Sequence, residues 1–373
     1  IMVASAIGTS IMFIPSSTVA YAEEADSENK SSGGLIKGKI ADNDFNWTYY
    51  YTDDYFKNSS SVYNPSLATA SLSMAYSAFG AIDSEHEDYT YAYRNIETFM
   101  KKTGFGNIEP NKYMKTMPTP ETVGVTIGSK QIIDENGKEC TLVAVAVRGG
   151  NYEAEWGSNV RMGETGESEG FAHARDLVVE HLNMYLNNHH FSEKSNLKIW
   201  IAGYSRAAAT SNLTGNFLDC AIQGTGEDTK LMQKTREALK PWILDTNDIY
   251  CYTFETPQGG HEKSIYTANN TSNLFCLINP VDPVPYVAPT AFGFKRYGRD
   301  IDITTVDFEK VKENSIKIEG KLRPGGYTQK VEGDNFCPRK LDRGQSGYIK
   351  TMATLFDAIL TDKDIKTDFL DRC

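Results

Sequence analysis

Two serines in this sequence stand in a spacing that chemistry uses. Gly166-Glu167-Ser168-Glu169-Gly170 matches G-x-S-x-G at every letter, whereas Gly203-Tyr204-Ser205-Arg206-Ala207 carries alanine in the fifth place. In that pattern the serine hydroxyl is a nucleophile lifted onto a sharp turn between a strand and a helix. Small residues two before and two after it let the strand and helix backbones close on each other. Attack on a carbonyl would give a covalent acyl intermediate that a second acceptor, such as water, resolves. The reaction also needs a base, an acid to orient the base, and backbone donors for the oxyanion.

The elements around each serine separate the two. Ser205 follows LKIWIA, an apolar strand-like run, and precedes RAAATSNLTGNFLDC, whose small residues favour a helix and allow close packing. Ser168 follows WGSNVRMGETGE, which is polar and broken by glycine, and it stands where a helix beginning near Gly170 would have its N-cap. Ser205 is therefore the expected nucleophile despite its imperfect motif. Arg206 puts a cation in the first turn of the following helix, against the helix dipole, and a broken local rule of this kind marks functional sites. A solvated arginine paired with a carboxylate is the alternative reading.

Candidates for the remaining roles follow from chain order. Asp282, in Asn279-Pro280-Val281-Asp282-Pro283, lies just past the apolar run SNLFCLIN, and Glu255 ends the run DIYCYTF; of these strand-end acids Asp282 is favoured, since the acid follows the serine. One oxyanion donor is the N–H after the nucleophile, that of Arg206. Gly149 and Gly150 leave room for a second backbone donor. The base should be a histidine after Asp282, yet none occurs after His261. Either the chain stops short of it or His261, in PQGGHEK, serves; truncation is the expectation, because chain order within one fold is rarely rearranged. His173 and His181 are eight apart with no third ligand, and the six cysteines lack CxxC spacing, so neither a metal nor another cofactor is expected. Cys251 and Cys276, inside apolar runs, read as small buried thiols.

The elements that must position these residues alternate. VGVTIGSKQIID and ECTLVAVAVRG flank Asn136-Gly137, a hairpin signal that suggests a type I′ turn. Beyond it GFAHARDLVVEHLNMYL has helical spacing, LKIWIAG is a strand, RAAATSNLTGNFLDC a helix, and DIYCYTF and SNLFCLIN are strands. Strands separated by helices imply crossovers, hence a mostly parallel sheet covered on both faces, with ligands at the strands' carboxyl ends. Residues 43–102 read as helices packed on that sheet, residues 23–42 as a polar linker, and residues 1–22, an apolar run closing on Ala20-Tyr21-Ala22, as part of an export signal. The segment from Ala291 to Cys373 reads either as a cap or as further sheet and helix.

The 373 residues, 40% hydrophobic, suffice for a full core. A formal net charge of −11 argues against a nucleic-acid partner, and no segment after the first 22 residues is long and apolar enough to span a bilayer.

Six ordered segments, VAVAVRGG (143–150), EWGSN (155–159), GFAHA (170–174), IAGYSRAA (201–208), YTFETPQGG (252–260) and INPVDPVPYVAP (278–289), resemble those of class 3 lipase-like α/β-hydrolases. The departures are GYSRA where those lipases usually carry G-H-S-x-G, the absence of Ser or Thr after RG, and the absence of a histidine before GF. The resemblance, which covers about residues 120–290, implies an α/β-hydrolase domain in which Ser205 attacks a carbonyl, Asp282 orients a histidine, and Gly150 joins Arg206 in the oxyanion hole; the domain is placed over 43–373 and, for want of a histidine after Asp282, read as truncated at its C-terminus. It further implies an exported lipase or carboxylesterase acting on a small-molecule or lipid ester. A non-catalytic binding protein on the same fold, or a serine peptidase or acyltransferase, is the alternative. The polar segment NYEAEWGSNVRM, where related lipases hold their lid, suits soluble or short-chain esters.

Overall fold

The computed structural model describes residues 36–41, 46–78, 91–116, 122–149, 162–189, 195–278, 284–286, 290 and 293–302. The signal and most of the linker read from the sequence lie outside these residues, as do Gly150, Asp282 and everything after Asp302.

The central sheet begins with an antiparallel run, β3 (Gly106–Pro110), β4 (Val125–Ile133) and β5 (Glu139–Val147), and continues in parallel through β6 (Ser195–Tyr204), β8 (Ile249–Phe254), β10 (Leu274–Ile278) and β12 (Arg299–Asp302). The two-residue β7 (Trp242–Ile243) joins the edge of β6 ahead of β8. A two-stranded ribbon pairs β9 (Gly260–His261) with β11 (Phe294–Lys295). The open question about the segment after Ala291 is resolved over its described part, since β12 extends the sheet beside β10.

Helices α3 (Glu169–Asn188), α4 (Arg206–Gln223) and α5 (Lys230–Leu239) connect strands that are each laid down on the same side of the last. Right-handed crossovers repeated in one direction put their helices on one face. Accordingly Phe171, Val178, Leu182, Leu213, Phe217 and Met232 pack with the alternate strand residues Val143, Val145, Leu197, Ile199, Ile201 and Ile249. The opposite face would be bare without the N-terminal segment, which supplies α1 (Pro65–Ser77), α2 (Tyr91–Lys102) and a hairpin of β1 (Ile36–Ala41) with β2 (Asn46–Tyr51).

There Leu142, Ala144, Trp200, Ala202, Tyr250, Tyr252 and Phe275 meet Tyr51, Phe56, Leu67, Met74 and Phe99. Trp200 is the hub, stacked on Tyr51 at 5.8 Å and donating Nε1–H to Ser71 Oγ at 2.8 Å. That bond satisfies two polar groups that burial would otherwise strand. Helix α1 starts where the sequence dictates: Asn64 Oδ1 accepts the N–H groups of Ser66 and Leu67, and Pro65 occupies the first turn.

Two expectations are corrected here. Residues 36–41, assigned to the linker, form β1, and residues 46–51, assigned to a helical region, form β2; the alternation of Trp47, Tyr49 and Tyr51 is a period of two, which suits a strand laid over a core. The β4–β5 hairpin exists, with Ile133 opposite Glu139, but its turn is not type I′. Only Gly137, at φ 74°, has positive φ, while Asp134 Oδ1 accepts the N–H groups of Asn136 and Lys138. An aspartate ahead of Asn-Gly thus caps a longer loop with a single left-handed glycine.

Candidate active site

Ser205 stands at the carboxyl end of β6, the strand between β5 and β8, and is the residue before the first turn of α4. Its backbone lies at φ 57° and ψ −123°, a sparsely populated region for a residue with a Cβ, costing about 1–3 kcal/mol. Three contacts enforce it. The Ser205 N–H donates to Phe254 O on β8 at 2.9 Å, and Ser205 O accepts from Ala208 N–H at 2.9 Å. Gly203 supplies the third: an added Cβ there would lie 2.5 Å from Ser211 Oγ and 2.6 Å from the Ala207 carbonyl carbon. Strand and helix backbones therefore close on one another at the serine, which only glycine permits. Ser205 is half-buried among buried neighbours, and its side chain makes no capping bond to the helix it precedes. An N-terminus without a side-chain cap leaves backbone N–H groups and the positive end of the helix dipole beside the hydroxyl.

The neighbouring strand ends form a shelf around it. Past β5, Arg148 and Gly149 are buried, and Arg148 N–H is held by Gly124 O at 2.7 Å. Past β8, Glu255 is buried at φ 51°, with its N–H on Leu277 O at 2.8 Å. A left-handed glutamate is unusual, because neither its size nor its side-chain chemistry favours that region. Nothing in the sequence flags it, whereas an Asn or Gly at that place would have done so. Arg206, 4% exposed, is buried rather than the solvated cation of the bland reading.

The fold is that of an α/β hydrolase. A mostly parallel sheet with helices on both faces carries, after a central strand, a serine on a strained strand-to-helix turn.

The other sequence candidates fall in different places. Ser168 is fully buried one residue before α3, its N–H on Gly259 O at 2.9 Å and its backbone in an isolated bridge with Met162, away from the end of any described strand. It is the cap position expected of it, although its side chain makes no capping bond to α3. His173 is exposed on α3. His261 lies in the β9–β11 ribbon, buried, edge-on to Phe294 at 5.1 Å, with Nδ1 accepting the Lys263 N–H at 3.0 Å. An accepting Nδ1 puts the proton of a neutral ring on Nε2, the reverse of the tautomer that takes a serine proton through Nε2. In this arrangement His261 is a packed ribbon residue. Cys140, Cys220, Cys251 and Cys276 are buried free thiols, and burial pushes Cys140 and Cys276 up to about 12 and Cys220 to about 11, so they remain protonated. Among the described residues no group of His, Cys, Asp and Glu could hold a metal, and no helix is long and apolar enough to cross a membrane.

No protein-family model and no curated protein sequence matches the chain. Solved structures to which it is similar include a Rhizomucor miehei triacylglyceride lipase, at 14% identity over 78% of this chain and 98% of that one with a TM-score of 0.40. A lipase from Rhizopus microsporus var. chinensis is similar at 12% identity over 77% and 84% with a TM-score of 0.38. The M37 lipase is similar at 14% over 83% and 95% with a TM-score of 0.36.

Proposed function

We propose that this protein is an exported serine hydrolase of the class 3 lipase type, which cleaves carboxylic esters through an acyl-enzyme on Ser205. The observation that carries the reading is the backbone of Ser205, strained at φ 57° and ψ −123° at the carboxyl edge of the sheet, with a side chain that makes no capping bond to α4. In the proposed mechanism a histidine takes the Ser205 proton as the oxygen adds to the ester carbonyl, and Asp282 holds that histidine in its productive tautomer. The oxyanion is met by the N–H groups of Arg206 and Gly150, and water then releases the acid. Arg206 is the first residue of α4, so its N–H stands at the positive end of the helix dipole and is oriented by the turn. The substrate we assign is a soluble or short-chain ester, supported by the polarity of NYEAEWGSNVRM (151–162).

The test is fluorophosphonate labelling of the full-length protein beside its Ser205→Ala variant, followed by hydrolysis of p-nitrophenyl esters of increasing chain length. A wild-type adduct on Ser205, absent from the variant, is expected, with faster turnover of soluble esters than of emulsified glycerides. Equal labelling of both proteins would remove Ser205 from the mechanism, and no adduct with either would favour a binding role for the fold. Export is checked by the N-terminal residue of the protein recovered outside the cell, expected just after Ala22.

A further inference from the structure

Two loops leave the sheet, one after β8 and one after β10, past the last tie between the strands, in which Glu255 N–H donates to Leu277 O at 2.8 Å. One guanidinium bridges the two loops. Arg296 Nη1 donates to Thr256 O at 3.2 Å, on the loop after β8, and to Pro285 O at 2.6 Å, on the loop after β10. Its other edge makes a two-pronged bond to one carboxylate, Nε to Asp300 Oδ1 at 2.8 Å and Nη2 to Asp300 Oδ2 at 2.5 Å. The arginine side chain is 7% exposed and that of Asp300 43%.

The arginine is itself anchored on both sides. One residue before it, Lys295 pairs with Gly260 in the β9–β11 ribbon; a few residues after it, Asp300 pairs with Cys276 in the β10–β12 ladder. A second tie runs parallel to the first, since the Gln258 amide and the Thr290 hydroxyl exchange hydrogen bonds at 2.9 and 3.1 Å. Thr256 directly follows the left-handed Glu255, whose predecessor Phe254 accepts the Ser205 N–H. From Ser205 a continuous path of backbone and hydrogen bonds thus runs through Phe254, Glu255 and Thr256 to Arg296 and on to Pro285.

We propose that Arg296 is a positioning residue for the Ser205 site, setting the spacing of the β8 and β10 loops through the Thr256 and Pro285 carbonyls. The inference rests on the serine-hydrolase reading, in which groups carried on these loops must meet the nucleophile within a fraction of an ångström. Arginine suits the duty because its planar fork offers donors on two edges at fixed angles, with Asp300 setting the plane and the remaining edge spanning the loops. Lysine keeps the charge but presents its donors from one point and cannot span all three partners. The prediction therefore separates geometry from charge.

In the full-length protein, Arg296→Lys, Asp300→Asn and the double variant are compared with wild type and Ser205→Ala for fluorophosphonate labelling rate, kcat, KM and Tm. Arg296→Lys should lower kcat and the labelling rate by up to about 100-fold, the cost of a misplacement near 1 Å, with KM unchanged. Asp300→Asn, which keeps the fork on both carbonyls but loosens its plane, should lose less. It also serves if the lysine variant fails to fold. Because Asp300 acts through Arg296, the double variant should be no slower than Arg296→Lys alone. Wild-type kcat in Arg296→Lys, a fall in Tm alone, or losses that multiply in the double variant would overturn the proposal. Absence of any adduct or turnover in wild type would instead sink the hydrolase reading, and this inference with it.

Discussion

Replacing Gly203 by alanine tests the turn that presents Ser205. The new Cβ would stand against the Ala207 carbonyl oxygen, 2.6 Å from its carbonyl carbon and 2.5 Å from Ser211 Oγ. Carbon atoms in contact rest at about 3.5 Å, so the first turn of α4 must retreat from β6 by about 1 Å. Two of these neighbours are backbone and cannot rotate away. Overpacking of this kind costs about 1–3 kcal/mol, and a nucleophile displaced by about 1 Å loses about 100-fold in rate. The Tm should fall by roughly 1–6 °C at about 1–2 °C per kcal/mol for a domain of this size. The assay pairs differential scanning calorimetry with the pseudo-first-order rate of fluorophosphonate labelling. Gly137→Ala is the control: its φ of 74° strains an alanine, but an added Cβ there meets nothing within 4 Å. That substitution should cost about 1–2 kcal/mol and leave the labelling rate alone. Normal Tm and labelling in Gly203→Ala, or equal slowing in both variants, would refute the argument that close approach at Gly203 shapes the site.

Glu167 and Arg175, each fully buried and 2.7 Å apart, tie the loop before α3 to its first turns, so Arg175→Met should destabilise the protein by about 3–5 kcal/mol by leaving a buried carboxylate uncompensated. Urea unfolding measures it, and a loss under about 1 kcal/mol would show that the pair carries no net interaction. Burial holds the carboxyl of Asp219 well above the usual range, against a lowering hydrogen bond from Asn273, while its Oδ2 has no hydrogen-bond partner among the described residues. The unfolded chain releases this proton at lower pH than the folded one, so this group's contribution to stability is full at acid pH and falls as pH rises above the unfolded value. Asp219→Asn should therefore gain in Tm over wild type as pH is raised from 4.5 to 8, whereas any hydrogen-bond mismatch it introduces is independent of pH; a constant difference in Tm across that range would contradict the assignment.

The sequence by itself determined α3, β6, α4, β8 and β10 in their order, though not α5, β7 or β9 between them, together with the hairpin at Asn136-Gly137 and which of two serines ends a strand. These are local facts, written in periodicity and in the small residues Gly203 and Ala207 that a tight turn requires. The β1–β2 hairpin was not read from the sequence, although Trp47, Tyr49 and Tyr51 alternate, because aromatic-rich segments satisfy helical and strand spacing alike until a core chooses between them. The sequence placed residues 43–102 on the sheet, and only the tertiary structure decided that they cover the face the same-direction crossovers leave bare, with a hairpin as well as helices. Likewise it decided that Glu255 takes a left-handed backbone, that His261 is occupied within a ribbon, and that Arg296 spans two loops forty and eleven residues away along the chain. Each of these depends on partners distant in sequence. Hydrogen bonds and burial between such partners leave no periodic trace in the residues that make them.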